Sequence, residues 1–461
     1  MNPLLNPILL GKILRSYLFD INRIWKYSEE EIKKYQDKQL RQIVKYAYSV
    51  PIYHEKYRDA GIHPRDIRGI NDIEKLPFVT KRDLRGKKAE VLLPKGANIK
   101  KYSMASTSGS TGQPVTLYSD PYTVFKTFIG FIRMIREHDI NWRKTRMALI
   151  ADLSPDSAEE IYFRKTALPN LKLFFNIDNI QAFHVGEKPE KLIKQLEKFN
   201  PEFIGGYPGI LNILAILKRQ GQGKNLTPRA LATSGAIVDD YTRKYISKAF
   251  DADVFDVYGA TECSPMAFQC RNGNYHIHSD FAYIEFMDAE KKEIASGDGG
   301  NIVVTRLFGQ GTPVVRYTGI SDFLVETKRK CDCNISTPII EKIEGRQVDS
   351  IVLPGGGLIP PSSFTGIPHH VMHNLNTDKI NRFQIIQHTI NEVEILIVID
   401  KDQRNVGPKV SEIKQKLKKA FEKKLGNGIR ITVNEVEQIT MVRSGSATPP
   451  PVAISKVKKQ Q

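Results

Sequence analysis

Cysteine is scarce in this sequence, with four in 461 residues. That density excludes a disulfide-stapled secreted scaffold. No apolar run reaches the roughly 18 residues that a membrane-spanning helix needs. No Gly-Lys-Ser/Thr follows a glycine-rich loop at Walker A spacing. Zinc-finger, homeodomain and RNA-binding signatures are missing as well. The excess of base over acid, 68 residues against 51 for a formal net charge of +17, is therefore read as general surface charge, and nucleic acid is not an expected partner. Such a field favours small anions, nucleotides or an acidic membrane surface. Met1–Leu14 has no basic leader ahead of its apolar residues and no small-residue cleavage site, so a cytoplasmic location is expected. Internal repeats and low-complexity tracts are absent.

What is present is a globular chain. Apolar residues make up 41%, enough for a sizeable core, and the length suits two or three domains. Pro7–Trp25 reads as an amphipathic helix whose apolar face meets either its own domain or, as a peripheral contact, a membrane surface. Helical spacing over Glu29–Ala60 puts Ile32, Leu40, Ile43, Val44 and Ala47 on one face, and Pro51 is expected to end that helix. Ile70–Arg85 reads as helix, turn and helix, with Thr80 capping Lys81–Leu84.

Between about 100 and 330, short β-rich runs alternate with helical stretches. The runs are Val115–Tyr118, Arg146–Ile150, Leu171–Phe175, Phe203–Gly205, Ala230–Ala232 and Val254–Val257. The helices are Tyr122–Glu137, Pro189–Phe199, Ile210–Gln220 and Asp240–Phe250. Alternation of this kind argues for an α/β fold with a largely parallel sheet. Tyr283–Met287, Gly300–Leu307 and Asp322–Glu326 resemble an antiparallel unit. After Gly345 the chain restarts as a compact α+β unit: Phe383–His388, Glu392–Asp400, the helix Val410–Leu425 and Arg430–Glu435. The expected domains are residues 1–345 and 346–461.

Ser106–Pro114 reads Ser-Thr-Ser-Gly-Ser-Thr-Gly-Gln-Pro. Glycine lets successive amides approach an anion, and a run of amides forms a nest for phosphate oxygens, to which the hydroxyls add donors. On composition alone an ordinary Ser/Gly turn remains the competing reading.

Three further segments follow it in order: Asp256-Val-Tyr-Gly-Ala-Thr-Glu262, Val315-Arg-Tyr-Thr-Gly-Ile-Ser-Asp322 and Gly345-Arg-Gln-Val-Asp-Ser-Ile351. Together with the loop they resemble the motif series of the acyl-adenylate-forming superfamily. Ile43–Tyr53, Asp72–Leu84, Pro201–Gly209 and Leu353–Pro361 are similar to its phenylacetate–coenzyme A ligase and CapK-like branch. The resemblance implies a large N-terminal domain of mixed and parallel sheets with helices, and a small, mobile C-terminal α+β lid. It implies ATP, Mg2+ and coenzyme A as cofactors. A small carboxylic acid would be converted to an acyl-adenylate and passed to coenzyme A, or else to an amine, hydroxyl or sugar. Ser106, Thr107, Ser108, Gly109, Ser110, Thr111 and Gly112 would hold the phosphates. Ser234, Gly235 and Ala236 would flank the adenine with Tyr258, in a nucleotide site that includes Asp256 and Gly259. Asp322 would accept from the ribose hydroxyls, and Arg346 would meet phosphate or ribose. Glu262 would bind magnesium, Thr261, Glu262 and Lys456 would form the catalytic set, and Tyr207 and Pro208 would line the acid pocket. Each of these side chains also has a plain structural alternative as a core aromatic or surface charge.

Cys270, His276, Cys331 and Cys333 offer three thiolates and an imidazole, the donor set of a closed tetrahedral zinc site. The set resembles a structural zinc site in parts of the same branch and is expected to staple the 280–330 unit to the sheet. Buried inert cysteines are the alternative, and His278 competes as the imidazole. The sequence departs from the family at its tail, where Ser446 stands at the place of the usual lysine. Lys456 and Arg443 are the substitutes on offer. Val348 replaces a common aspartate. These changes make a degenerate, nucleotide-binding protein the third functional reading.

Overall fold

The computed structural model describes residues 7–106, 115–153, 158–160, 163–164, 172, 177–288, 290–294, 299–320, 322–327, 329–346, 351–354, 358–359, 362–426, 428–439 and 453–457. The chain gathers into two compact units. The first comprises Met1–His184, Phe255–Ile320 and Leu324–Lys342, and the second Val185–Val254, Ser321–Phe323 and Ile343–Gln461.

In the first unit, Ser28 and Glu31 form a capping box that starts the helix Glu29–Ala47, and all five predicted apolar residues are buried. This satisfies two of the amides left unpaired at a helix start. The helix stops at Ala47, and Pro51 opens a second helix, Pro51–Asp59, instead of ending the first. Proline costs nothing at that position because its missing N–H would be unpaired there anyway. Thr80 caps Lys81–Leu84 as expected, with Asp83 bonding back. Strands Ser103–Ser106 and Thr116–Ser119 pair antiparallel, Ser106 opposite Thr116, and lead into the helix Pro121–Glu137. Met147–Ala151 is buried throughout and pairs parallel with Ile180–His184. The expected strand Leu171–Phe175 lies outside the described residues apart from Lys172.

The sheet of this unit is mixed, as the resemblance implies, and it includes three strands not read from the sequence: Cys263–Gln269, Tyr275–Ile277 and Ile339–Arg346. Cys263–Gln269 runs antiparallel to Asp253–Ala260 and to Tyr275–Ile277, which pairs antiparallel with Ile339–Arg346. Ala282–Met287 and Gly299–Arg306 pair antiparallel, as expected for this stretch. Short connections join Asp253–Ala260, Cys263–Gln269 and Tyr275–Ile277 in succession, and only antiparallel neighbours can be joined that way.

One feature of this core is ionic. Arg133 donates two hydrogen bonds to Asp280 at 2.8 and 2.9 Å, and the Lys126 ammonium is 3.4 Å from the same carboxylate. All three are buried, with Phe281 beneath both cations. Arg133 also donates to the Ile21 carbonyl and to His278 Nδ1. Burial, reinforced by Arg133, pushes the His278 imidazole down to about 3, so it accepts as a neutral ring.

In the second unit, Phe203–Gly206 and Ala230–Ser234 pair in parallel, and Pro189–Phe199, Pro208–Arg219 and Asp240–Phe250 are helices. The C-terminal part is α+β. Ile380–Thr389 and Glu392–Ile399 form a hairpin, Arg430–Glu435 adds parallel to the second strand, and Ala453–Ser455 adds parallel to the first. The helix Val410–Leu425 has its expected bounds and buries Ile413, Leu417, Phe421 and Leu425 at four-residue spacing. Burying such a side chain contributes about 1.5–3 kcal/mol. The helix Ser362–Asn374 was not expected, because Pro368 inside it masks the helical signal. Among the described residues no helix is long and apolar enough to cross a membrane.

Candidate functional site

The segment Tyr258–Glu262 is a β-hairpin end. Tyr258 opposes Ala267 and Ala260 opposes Cys263, with an irregularity at Gly259, so Thr261 and Glu262 are the two turn residues. The turn separates them: Thr261 is exposed and Glu262 is buried at 4% exposure. Burying a carboxylate costs several kcal/mol unless partners replace water. The Tyr317 hydroxyl donates to Glu262 Oε1 at 3.1 Å, and Arg306 Nη1 donates to the Glu262 carbonyl at 3.4 Å. Burial and the Glu262 charge together raise the Tyr317 pKa, which keeps its hydroxyl a donor. Two motifs far apart in sequence thus meet at one oxygen.

Tyr317 is fully buried, and its neighbours hold it closely. Arg316, at φ +44°, grips the Glu285 carboxylate and the carbonyls of Glu74 and Leu76. A Cβ at Gly319 would lie 2.1 Å from the Tyr317 ring and hydroxyl, so only glycine fits there. Cys263, next to Glu262, is buried. Desolvation raises its thiol to about 12 despite Arg306, and a protonated thiol is a poor nucleophile. Asp256 is buried and accepts from the Tyr275 hydroxyl at 2.7 Å, while its amide donates to Gln269. Tyr258 is buried two residues along the same strand.

In the second unit, Tyr207 and Pro208 stand where the strand Phe203–Gly206 passes into the helix Pro208–Arg219, and Ser234, Gly235 and Ala236 follow the end of the parallel strand Ala230–Ser234. Ligands of open α/β sheets bind at such carboxyl ends. Gly235 has φ +79°, and a Cβ there would be 2.7 Å from the Tyr207 ring. The tyrosine thus lies against Gly235 in the Ser234–Ala236 segment, for which the family resemblance implies a place beside adenine. Asp322 opens the strand Asp322–Thr327 and is partly buried.

Cys270, His276, Cys331 and Cys333 converge in the first unit, with all four donor atoms within 4.8 Å of one another. Cys270 and Cys331 sulfurs are 3.7 Å apart, and Cys333 Sγ is 3.2 Å from His276 Nε2. The sulfur edge of a tetrahedral zinc site with Zn–S of about 2.3 Å is about 3.8 Å. All four cysteines are free. His276 Nδ1 donates to the Thr337 carbonyl, which leaves the Nε2 lone pair facing the sulfurs, and Asn274 donates to Cys331 Sγ at 3.1 Å. Such partners fix a ligand's tautomer and direction. His278 is not in this group, and its Nδ1 accepts from Arg133 instead. The cluster joins the turn after Cys263–Gln269 to the segment before Ile339–Arg346, two strands already linked through Tyr275–Ile277.

The comparisons agree with this architecture. Residues 359–448 match the CapK C-terminal domain. The phenylacetate–coenzyme A ligase of Escherichia coli (strain K12) is 26% identical over 72% of this chain and 75% of its own length. Protein CapK of Staphylococcus aureus is 23% identical over 90% and 92%. A 2-hydroxyisobutyryl-CoA ligase, solved in the postadenylation state in complex with R3-HIB-AMP, superposes with a TM-score of 0.76 at 19% identity, covering 94% of this chain and 92% of that one. The fold is that of the adenylate-forming ligases.

Within this ligase fold not every predicted residue can be placed. Thr107, Ser108, Gly109, Ser110, Thr111 and Gly112 lie outside the described residues, as do Val348 and Ser446. Ser106 ends its strand, and Arg346 ends the strand Ile339–Arg346. Lys456 is exposed beyond the edge strand Ala453–Ser455. Its ammonium is 3.2 Å from His388 Nδ1, and His388 Nε2 is 2.8 Å from Glu394. Sequence reasoning missed Tyr317 and Arg306 as partners of Glu262. The signal for Tyr317 was its place inside the Val315–Asp322 motif.

Proposed function

We propose that this protein is an ATP-dependent, adenylate-forming acid–thiol ligase. A carboxylate oxygen attacks the α-phosphorus of ATP and pyrophosphate leaves. The coenzyme A sulfur then attacks the acyl carbon, and AMP leaves as the thioester forms. The observation that carries this reading is the buried Glu262 carboxylate held by the Tyr317 hydroxyl, because it gives two superfamily motifs one shared purpose. A hard cation takes carboxylate oxygens, and Glu262 would hold magnesium, which supplies charge neutralisation at the phosphates. Tyr207 and Pro208 would bound the acid, Ser234–Ala236 with Tyr258 the adenine, Asp322 the ribose, and residues 106–112 with Arg346 the phosphates. Lys456 would act in the adenylation step.

The phenylacetate–coenzyme A ligase relatives favour an aryl or short acyl acid. The match of residues 359–448 to the CapK C-terminal domain favours a second reading, in which an amine, hydroxyl or sugar takes the acyl group. A pyrophosphate-release screen over aryl, short-chain and sugar-linked acids separates them. Release that requires both one acid and coenzyme A is expected. Release without coenzyme A selects the second reading, and no release with any acid leaves a degenerate nucleotide-binding protein.

The four-residue cluster we assign to structural zinc. Elemental analysis of purified protein is expected to find about one zinc per chain, and Cys331→Ser with Cys333→Ser is expected to lose it and lower the melting temperature. Protein that is metal-free and equally stable in chelator would overturn the assignment.

A further inference from the structure

The helix Pro7–Arg15 and the turn Ser16–Asp20 that continues it have two unlike faces. One is seated on the first unit. Ile13 and Ser16 are buried, Ser16 Oγ is 3.3 Å from the Tyr122 hydroxyl, and the Tyr17 ring meets Trp142 edge-on at 6.2 Å. Arg136 donates to the Tyr17 hydroxyl at 3.2 Å. The helix is therefore held in a fixed orientation.

The other face carries Leu14, Leu18 and Phe19, which are 46%, 62% and 70% exposed. Among the described residues seven large apolar side chains are at least 37% exposed, and three of them fall within these six positions. Scattered exposed leucines need no explanation, but a contiguous group on one anchored helix does. Lys12 and Arg15 are exposed on the same helix, and Arg23 and Lys26 are exposed just beyond it. Asp20 is the single acidic residue between Met1 and Lys26.

We propose that this face docks on the surface of an anionic lipid bilayer. Leu14, Leu18 and Phe19 enter the boundary between headgroups and acyl chains, while Lys12, Arg15, Arg23 and Lys26 are drawn to the anionic headgroups. The charge sets the occupant: a local surplus of base on a chain of net charge +17 complements a negative lipid surface. A second copy of the chain would bring the same positive charge, and a standard protein interface uses roughly 20–30 residues a side, far more than this face offers. Neither signal suffices alone, since few apolar side chains or few charges bind only marginally. The contact is therefore peripheral and reversible, and it stands whether or not the ligase reading holds.

The test is co-sedimentation of the full chain with phosphatidylcholine vesicles with and without phosphatidylglycerol. The wild type is expected to sediment with the anionic vesicles only, and less so as salt rises, because screening shortens the attraction. Leu14→Ser with Leu18→Ser and Phe19→Ser is expected to weaken sedimentation by at least about tenfold, with an unchanged melting temperature because all three are exposed. Lys12→Glu with Arg15→Glu is expected to leave the protein in the supernatant with both vesicle types. Wild type that stays in the supernatant with both vesicle types overturns the proposal, as does a triple-serine variant that sediments like wild type. Dimers in light scattering that vanish in the triple variant, with no sedimentation, would assign the face to a second copy and overturn it as well.

Discussion

Glu262→Gln is expected to lower acid-dependent ATP–pyrophosphate exchange by about 10²–10³-fold, the scale on which losing one preorganised charge-stabilising group acts. Glutamine keeps the side-chain length and can still accept from the Tyr317 hydroxyl, so the hairpin turn should survive and the melting temperature should move little. Only the negative charge is lost. Tyr317→Phe makes the converse change: the charge stays but Oε1 loses its donor. A hydrogen bond to a charged group is worth about 1.5–3 kcal/mol, so Tyr317→Phe should cost about tenfold or somewhat more, seen chiefly as a higher magnesium requirement. Exchange by Glu262→Gln at the wild-type rate would remove Glu262 from the chemistry. A Tyr317→Phe variant with unaltered magnesium dependence would leave the contact a packing detail.

Asp280→Asn is expected to destabilise the first unit by about 3–5 kcal/mol, the usual consequence of removing one partner from a buried ion group. Arg133 and Lys126 would stay buried on Phe281 with no anion between them. The measurement is convenient, because the protein has two tryptophans, Trp25 and Trp142, and both belong to this unit and are buried. A urea titration followed by tryptophan fluorescence therefore reports the affected unit. Burial pushes the Asp280 carboxyl up, but Arg133 and Lys126 outweigh it and hold it below the ordinary carboxylate range. A carboxyl depressed in the folded state binds fewer protons than its unfolded counterpart, so its contribution is complete above the unfolded pKa of about 3.9. The gap between wild type and Asp280→Asn should be flat from neutrality to about pH 5 and should narrow only below about pH 4. A gap under about 1 kcal/mol at neutral pH would mean that the cluster relaxes or admits water.

Much of this structure was legible as sequence. Helices with a clean apolar period, such as Val410–Leu425 and the Asp239-capped Asp240–Phe250, came out with their bounds because local propensity and packing agree there. Strand direction was less legible, since alternating helices and strands suggested parallel neighbours while the Thr261–Glu262 turn forces an antiparallel one. The converging cysteines could be guessed from donor chemistry, but choosing His276 over His278 required knowing which imidazole faces Arg133. The ionic cluster was not legible. Lys126 and Arg133 sit on a helix whose apolar period points inward, and a charge on an inward face reads as a solvated one until its buried partner is seen. Tyr317 and Glu262 share the same difficulty, for nothing local in either segment reveals that one hydroxyl spans them.

Gly319 gives that last contact an evolutionary cost. It touches no proposed ligand, yet its missing side chain is the space the Tyr317 ring occupies. In a random-mutagenesis screen, Gly319→Ala would score among the inactive clones beside changes in the nucleotide contacts, although its lesion is steric and one residue removed from them. Suppressors of such a clone should appear not at Glu262 but where the ring can shift, which makes second-site genetics a way to map the packing that holds the carboxylate.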